Sequence, residues 1–398
     1  MQASKFVFLL ALAAPIIGAD GPTNPTNSVR VHEWGTFTSV AGEDGGPQAW
    51  TPLAGPSDLP CFVYHLGSMC IKCAVTEAPF KPLPTLTSTV RMETPVLYFY
   101  ASQATRLSVH VDFPQGWITE WYPSATTVLP EIHQGQNLPA LGQGHIGWDN
   151  LMVMPGTTTI GPVGKGASRY YAARNTDADP IHVSNQAEKL IFYRGIANFP
   201  VPLRVKVLDQ SRLELRNQAE ATLPMVVVFE NRGGKTGYRV VREFSGTTQV
   251  EMPQPTSNTE SIKNILVGAL TDLGLYPKEA AAMLATWEDT WFEEGMRVFY
   301  LMPRRSVDAV LPLTITPAPS GTERVFVGRV EVLSPYVRET LGAALKSGDT
   351  ATLGQYGRFL EAFAGRIPGG AAANPATAAF FKARYDEARR ETEKPSCR

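Results

Sequence analysis

Alternation with a period of two residues constrains this chain more than any other feature of its sequence. Leu107, Val109, Val111 and Phe113 are apolar, and Arg106, Ser108, His110 and Asp112 between them are polar. Successive side chains of an extended strand point to opposite faces, so the pattern predicts a strand with one face buried. Similar short segments recur at 96–101, 189–194, 203–208, 212–216, 225–230 and 238–244, with turn residues between them. Asn231-Arg-Gly-Gly and Asp209-Gln-Ser have the composition of hairpin connections. Many short strands punctuated by Pro and Gly predict a mainly β fold, sandwich-like and antiparallel, and argue against a parallel α/β sheet.

Near residue 257 the period lengthens. Ser257-x-x-Glu260 has the form of a capping box, and Ile262, Ile265, Leu266, Ala269 and Leu270 make an apolar stripe that Gly274 closes. Pro277 suits a first helical position, and Met283, Leu284, Trp287 and Trp291 line the helix that follows. The two form a helical hairpin over 258–295. Strands resume at 297–301, 311–316 and 324–333, so the hairpin is expected as an insertion in one β-rich domain spanning 28–333. The remaining segment, 334–398, predicts a helical C-terminal region broken at Gly348-Asp349 and at Pro368-Gly-Gly.

Residues 1–19 read as a signal peptide. Lys5 supplies positive charge, the run from Phe6 to Ile17 is apolar, and Gly18-Ala19 suits cleavage before Asp20. Residues 20–27 read as a Pro, Asn and Thr linker. The apolar run falls short of the roughly 20 residues a spanning helix needs. Charges such as Arg106, Asp112, Lys206 and Arg239 interrupt every later hydrophobic run, so no transmembrane helix is expected in the mature chain. The expected location is secreted or periplasmic. In an oxidising compartment thiols pair, so Cys61, Cys70, Cys73 and Cys397 predict disulfides, with the three possible pairings left open. A metal site built on Cys70-Ile-Lys-Cys73 with Cys61 is the sharper alternative, but it lacks the second pair that a zinc ribbon needs.

Four segments carry a resemblance: Val31-His-Glu-Trp-Gly-Thr-Phe-Thr-Ser, Met92-Glu-Thr-Pro-Val-Leu-Tyr-Phe-Tyr, Ile118-Thr-Glu-Trp-Tyr-Pro and Trp291-Phe-Glu-Glu-Gly. Together with Leu311-Pro-Leu-Thr-Ile-Thr-Pro-Ala-Pro and Val327-Gly-Arg-Val-Glu-Val-Leu, they resemble an uncharacterised family of exported bacterial proteins. The resemblance implies export, and it brings no activity and no site residues with it.

Charge and motif context exclude several functions. The chain carries 36 basic against 37 acidic side chains and no basic cluster beyond Arg389-Arg390, so nucleic acid is not an expected partner. Gly142-Gln-Gly-His-Ile-Gly147 has the letters of a dinucleotide loop without the strand and helix that make one work. Gly161-Pro-Val-Gly-Lys-Gly lacks both the first glycine and the hydroxyl residue of a P-loop. His32-Glu33 is followed by Thr36 where a zinc protease needs its second His, and no Gly-x-Ser-x-Gly elbow occurs.

What remains is a set of polar residues among aromatics: His32, Glu33 and Trp34; Glu93; Glu120 and Trp121; His145, Trp148 and Asp149. The leading expectation is an exported envelope or extracellular protein that binds a ligand or partner, such as a glycan, through aromatic-rich loops. The alternative is a secreted, glycan-directed hydrolase with Glu93 and Glu120 as acid and base or nucleophile and Trp34 and Trp121 as platforms. A metal-dependent variant would use His32, His145 or His182 with Asp149 or Glu93, but the histidines lack ligand spacing, so neither a metal nor a cofactor is expected. Trp287 and Trp291 read as a helix core face, and Asp289 and Glu293 as a solvated acidic face.

Overall fold

The computed structural model describes residues 29–54, 58–66, 86–131, 139–158, 161–164 and 166–392. The signal peptide, the linker, Cys70, Cys73 and Cys397 lie outside these residues. The fold is mainly β. One nine-stranded sheet runs, edge to edge, through β14 (Lys235–Phe244), β13 (Leu223–Arg232), β16 (Gly295–Leu301), β18 (Gly321–Val332), β1 (Arg30–Val40), β3 (Val90–Tyr100), β10 (Ile191–Ala197), β5 (Gly116–Tyr122) and β2 (Tyr64–His65). A second sheet runs β17 (Leu313–Thr316), β4 (Thr105–Phe113), β7 (Gly144–Val153), β8 (Ile181–Val183) and β9 (Gln186–Glu188), with β6 (Thr127–Leu129) also on β7. A third joins β11 (Leu203–Val207), β12 (Arg212–Asn217) and β15 (Thr247–Glu251).

The two smaller sheets cover one face of the large one. Val31, Phe37, Met92, Leu97, Tyr193 and Val298 from the large sheet share a core with Val109, Val111, Ile146, Leu151, Leu213 and Leu215 from the others. This is the expected sandwich, and β4 shows the expected alternation, with Leu107, Val109, Val111 and Phe113 buried. The hairpins expected at Asp209-Gln-Ser and Asn231-Arg-Gly-Gly join β11 to β12 and β13 to β14. Gly233 and Gly234 have φ of 58° and 83°, a conformation that side chains with a Cβ avoid in a two-residue hairpin.

One pairing departs from the antiparallel expectation. β1 runs parallel to β18, Arg30 opposite Gly321 through to Val40 opposite Glu331. Hairpins impose antiparallel neighbours only between segments close in sequence, and these two are brought together from opposite ends of the chain. Both faces of this central pair are covered, which is why every residue of β1 except Arg30 is buried.

Helices cover the other face. α1 (Glu260–Asp272) and α2 (Pro277–Trp291) form the expected hairpin and share a second core with Trp34, Val96, Tyr98, Phe192, Val325 and Val327. The capping box falls one helix later than expected. Ser257 is tied to Thr236 in a β-bridge, whereas Glu279 accepts the backbone N–H of Tyr276 at 2.7 Å at the start of α2, behind Pro277. A short α3 (Arg304–Val310) separates β16 from β17. The C-terminal region is helical as expected: α4 (Pro335–Ser347), α5 (Thr350–Gly354), a 3-10 turn (Gly357–Phe359), α6 (Leu360–Ala364) and α7 (Pro375–Thr392). It breaks at Gly348 and after residue 364, near the expected places. Leu341, Leu345, Phe359 and Phe363 form a third core with Val40, Trp50 and Leu333. No helix among the described residues is long and apolar enough to cross a membrane.

Candidate functional site

The helix-covered face of the large sheet is divided into three bands. His32, Trp34, Val96 and Tyr98 lie under the α1–α2 hairpin, and Val40 and Leu333 lie under the C-terminal helices. Between the two roofs the strands present mostly charged and hydroxyl side chains, with Ile196 opposite Arg91 as an apolar neighbour. Crossing the sheet from β16 to β5, the positions are Arg297, then Glu331 and Arg329, then Thr38 and Thr36, then Arg91 and Glu93, then Arg194, then Glu120. The registers place Thr38 between Arg329 and Arg91, and Thr36 beside Glu93. The result is a charged trough. Its floor is buried, and Asp58, Glu120, Glu293 and Arg358 stand half-buried at its rim.

The local backbone is bent to make this arrangement. The β1–β3 register shifts between Trp34 and Thr36, and Thr94 takes a φ of 46°. The extra β3 residue lets Glu93 and Val96 face the same side across Thr94-Pro95. A bulge of this kind re-aims side chains, and a non-glycine residue in the left-handed region stores strain that only a well-determined surrounding can hold. A second shift lies between Arg194 and Gly195 where β10 meets β5, so two of the strands that floor the trough are irregular at the trough itself.

Ion pairing sets the electrostatics. Arg194 donates to both oxygens of Asp58 at 2.7 and 3.0 Å and to Thr94 Oγ1 at 3.3 Å. Arg358, from the 3-10 turn, donates to Glu93 at 2.8 Å. Arg329 donates to Glu293 at 2.7 Å and to Glu331 at 2.5 Å, and Arg297 donates to the same Glu331 at 3.0 Å. The other Arg297 donors take the carbonyls of Trp291, Glu293 and Glu294, which would otherwise be orphaned at the end of α2.

The carboxyls are driven apart. Burial pushes Glu93 up, but Arg358, then Arg91, Arg194 and Arg329, outweigh it and hold the group down at about 2. Asp58 is held well below the usual carboxylate range because its burial is outweighed by Arg194, with Arg358 and Arg169 adding to it. Glu293 goes the other way: burial raises it, and Arg329 and Arg297 only partly offset that. Burial pulls the Arg91 guanidinium down to about 10, with Arg358 adding to the effect and Glu93 opposing it.

Four buried polar atoms in or beside the trough have no hydrogen-bond partner among the described residues: Thr36 Oγ1, Thr38 Oγ1, Trp287 Nε1 and Trp291 Nε1. Buried polar groups are almost always bonded, so the two adjacent threonine hydroxyls on the charged floor, with two tryptophan donors of α2 beside them, are open positions for hydrogen bonding. Trp287 also lies 5.7 Å from the Arg169 guanidinium and 6.0 Å from that of Arg194, which forms an aromatic end wall.

The residues singled out in the sequence fall in four places. Glu93 and Glu120 both reach the trough, where both bear electrostatically on Arg91 and Arg194. Glu93 is held as an anion by Arg358, which suits it to the base or nucleophile role of the expected pair and not to the acid role. His32 shares the helix-covered face but is buried under α2, with Nδ1 2.8 Å from Glu279 and its ring packed on Tyr276 and Tyr100. Glu33 faces the opposite core, where it accepts from Tyr193 and from Arg324 at 2.5 Å. His145, Trp148 and Asp149 belong to β7 of the second sheet. Trp34, Trp121 and Trp148 lie on strands, each no more than 1% exposed, which corrects their reading as binding platforms on loops. Large flat side chains on inward strand positions fill cores.

The arginines and threonines of the floor and the raised Glu293 did not stand out in the sequence. The signal was present: Arg194 stands in Ile-Phe-Tyr-Arg-Gly-Ile-Ala and Arg329 in Val-Gly-Arg-Val-Glu-Val, and a buried arginine inside an apolar strand must be paired. Arg329 has one partner, Glu331, two residues on and another, Glu293, far away, whereas the Arg194 partner, Asp58, lies far off in the sequence. Cys61 lies among the described residues, and the three other cysteines lie outside them. Among the described residues no cluster of three metal-binding side chains converges. No protein-family model matches this chain, and no curated protein matches it either.

Proposed function

We propose that this is an exported protein whose trough binds an anionic, hydroxyl-bearing ligand of the acidic-saccharide class. The observation that carries the reading is the row of unpartnered Thr36 and Thr38 hydroxyls flanked by Arg91, Arg329 and Arg358. A guanidinium offers five donors and a bidentate carboxylate takes two, so an arginine floor suits carboxylate or sulfate groups, while hydroxyls match hydroxyls. Four cysteines in a chain with a signal-like start fit pairing in an oxidising compartment. This reading keeps ligand binding from the sequence and moves it from aromatic loops to a polar floor.

A second reading, hydrolysis of such a ligand, is favoured by one observation. Glu293 is raised and Glu93 is lowered, and divergent carboxyls are the signature of an acid and its charged counterpart. Glu293 then takes the acid role that the sequence suggested for Glu93 or Glu120.

Calorimetric titration with uronic-acid and sulfated oligosaccharides, against neutral oligosaccharides of equal length, tests the reading. Acidic probes are expected to bind, and Arg358→Met to weaken them about tenfold or more with the fold intact by circular dichroism. Equal binding of neutral and acidic probes, or none of either, refutes it. Turnover of a bound probe that Glu293→Gln abolishes would select the second reading.

A further inference from the structure

On the outward face of the second sheet, far in character from the trough, four half-buried side chains form a line. His145 Nδ1 lies 2.7 Å from Asp112 Oδ1, and His110 Nε2 lies 3.2 Å from Asp149 Oδ1. The two remaining ring nitrogens, His145 Nε2 and His110 Nδ1, face each other at 3.5 Å. An ionised carboxylate only accepts, so each ring must place its proton on the nitrogen that meets its aspartate. In that tautomer the two inner nitrogens carry no proton and present lone pairs across the 3.5 Å gap. A cation bound to both nitrogens, off the line that joins them, removes the repulsion.

The local structure holds this geometry. Across the β4–β7 pair, His110 stands opposite Gly147 and Asp112 opposite His145, so the two rings are diagonal neighbours on one face. A Cβ at Gly147 would fall 2.7 Å from His110 Nδ1, so only glycine lets the ring lean toward His145. The register shifts between Leu107 and Val109, and Asn150 takes a φ of 59°, which turns both Asp149 and Asn150 outward and brings Asp149 to His110.

We propose that His110 Nδ1 and His145 Nε2 chelate a divalent transition-metal ion of the imidazole-binding class, Cu²⁺ or Zn²⁺. Two nitrogens bound to one tetrahedral ion at about 2.05 Å each are about 3.3 Å apart, close to the observed separation. Histidine ligands characteristically donate their other N–H to a carboxylate, which fixes the tautomer and raises ligand basicity, and here both do. The two aspartates also balance the charge of a dication. With two protein ligands the ion keeps open positions for water, so the site is exchangeable, and it stands independently of the trough.

The test uses the full chain, stripped with chelator and titrated calorimetrically with CuCl₂ and ZnCl₂ near neutral pH. One ion per chain is expected, with two nitrogen ligands visible in the Cu²⁺ electron paramagnetic resonance spectrum. His110→Ala and His145→Ala should each remove the site, and Asp112→Asn should weaken it about 10- to 100-fold. Gly147→Ala should weaken it as well, although it deletes no donor. Unchanged binding in the His110→Ala/His145→Ala double variant overturns the proposal, as does a wild-type chain that binds neither metal.

Discussion

Replacing Thr36 and Thr38 by valine separates the roles of stability and binding in the trough. Both side chains are buried, at 1% and 0% exposure, and neither hydroxyl has a partner among the described residues. A buried hydroxyl left unbonded costs about 1–3 kcal/mol, and a methyl in its place avoids that cost while adding apolar burial of about 0.8 kcal/mol. The lower end of that range is the safer figure, because the surroundings are charged and a methyl among guanidinium groups gains less than one in an apolar core. Each substitution is therefore expected to raise stability by about 1 kcal/mol. The two residues share one strand face, so their effects should fall short of full additivity. For a chain of this size, with a urea slope above about 3 kcal/mol/M, the pair raises the unfolding midpoint by roughly 0.5 M. Affinity for an acidic oligosaccharide should fall at the same time by about ten- to a hundredfold, the loss of two hydrogen bonds of about 0.5–1.5 kcal/mol each. A gain in stability coupled to a loss of binding is the mark of a site held unsatisfied for its ligand. If either variant is destabilised by 1 kcal/mol or more, the hydroxyls are already bonded in the free protein and the reasoning fails.

Two further outcomes are expected. Glu93 is held at about 2 from an ordinary value of 4.5, so its charge contributes stability, on the order of 3 kcal/mol, that is fully present above pH 4.5 and lost as pH falls toward 2. Glu93→Gln should flatten the acid limb of an unfolding-versus-pH curve across that window, and an unaltered limb would show that Glu93 does not govern it. Glu279 accepts from Tyr276 N and from the Tyr100 hydroxyl, and it pairs with His32, so Glu279→Ala removes a helix cap and leaves a buried histidine without its partner. A loss of about 3 kcal/mol is expected. Limited proteolysis between α1 and α2 should accelerate, and an unchanged cleavage rate would place the hairpin's anchoring elsewhere.

Much of the architecture was legible because periodicity is local. Strand β4 and the α1–α2 hairpin follow directly from the spacing of their apolar residues, and Gly233-Gly234 marks a turn that few other residues could make. The parallel β1–β18 pair was not legible, because nothing within either segment states which distant strand lies beside it. The trough was hidden for the same reason. Glu93 and Glu120 stood out as carboxylates among aromatics, but the residues that define their chemistry, Arg358 and Arg194, come from a C-terminal turn and another strand. His145 and Asp149 stood out as well, yet their meaning depends on His110, which reads as an ordinary outward residue until the register places it across from Gly147.

The parallel pair at the middle of the large sheet also governs the order in which the fold can be completed. Glu33 and Arg324, which bond across it, are 291 residues apart in sequence. Until the segment ending at Val332 has arrived, β1 has an open row of backbone donors and acceptors where the finished sheet has its centre. Closing a loop of that length must precede the contacts that reward it, so the sheet is sealed late and slowly. A chain cut just before β18 would keep most of its hairpins and lose its middle. Its exposed strand edge is a template for pairing with other chains, so such fragments should aggregate instead of folding into a smaller version of the protein.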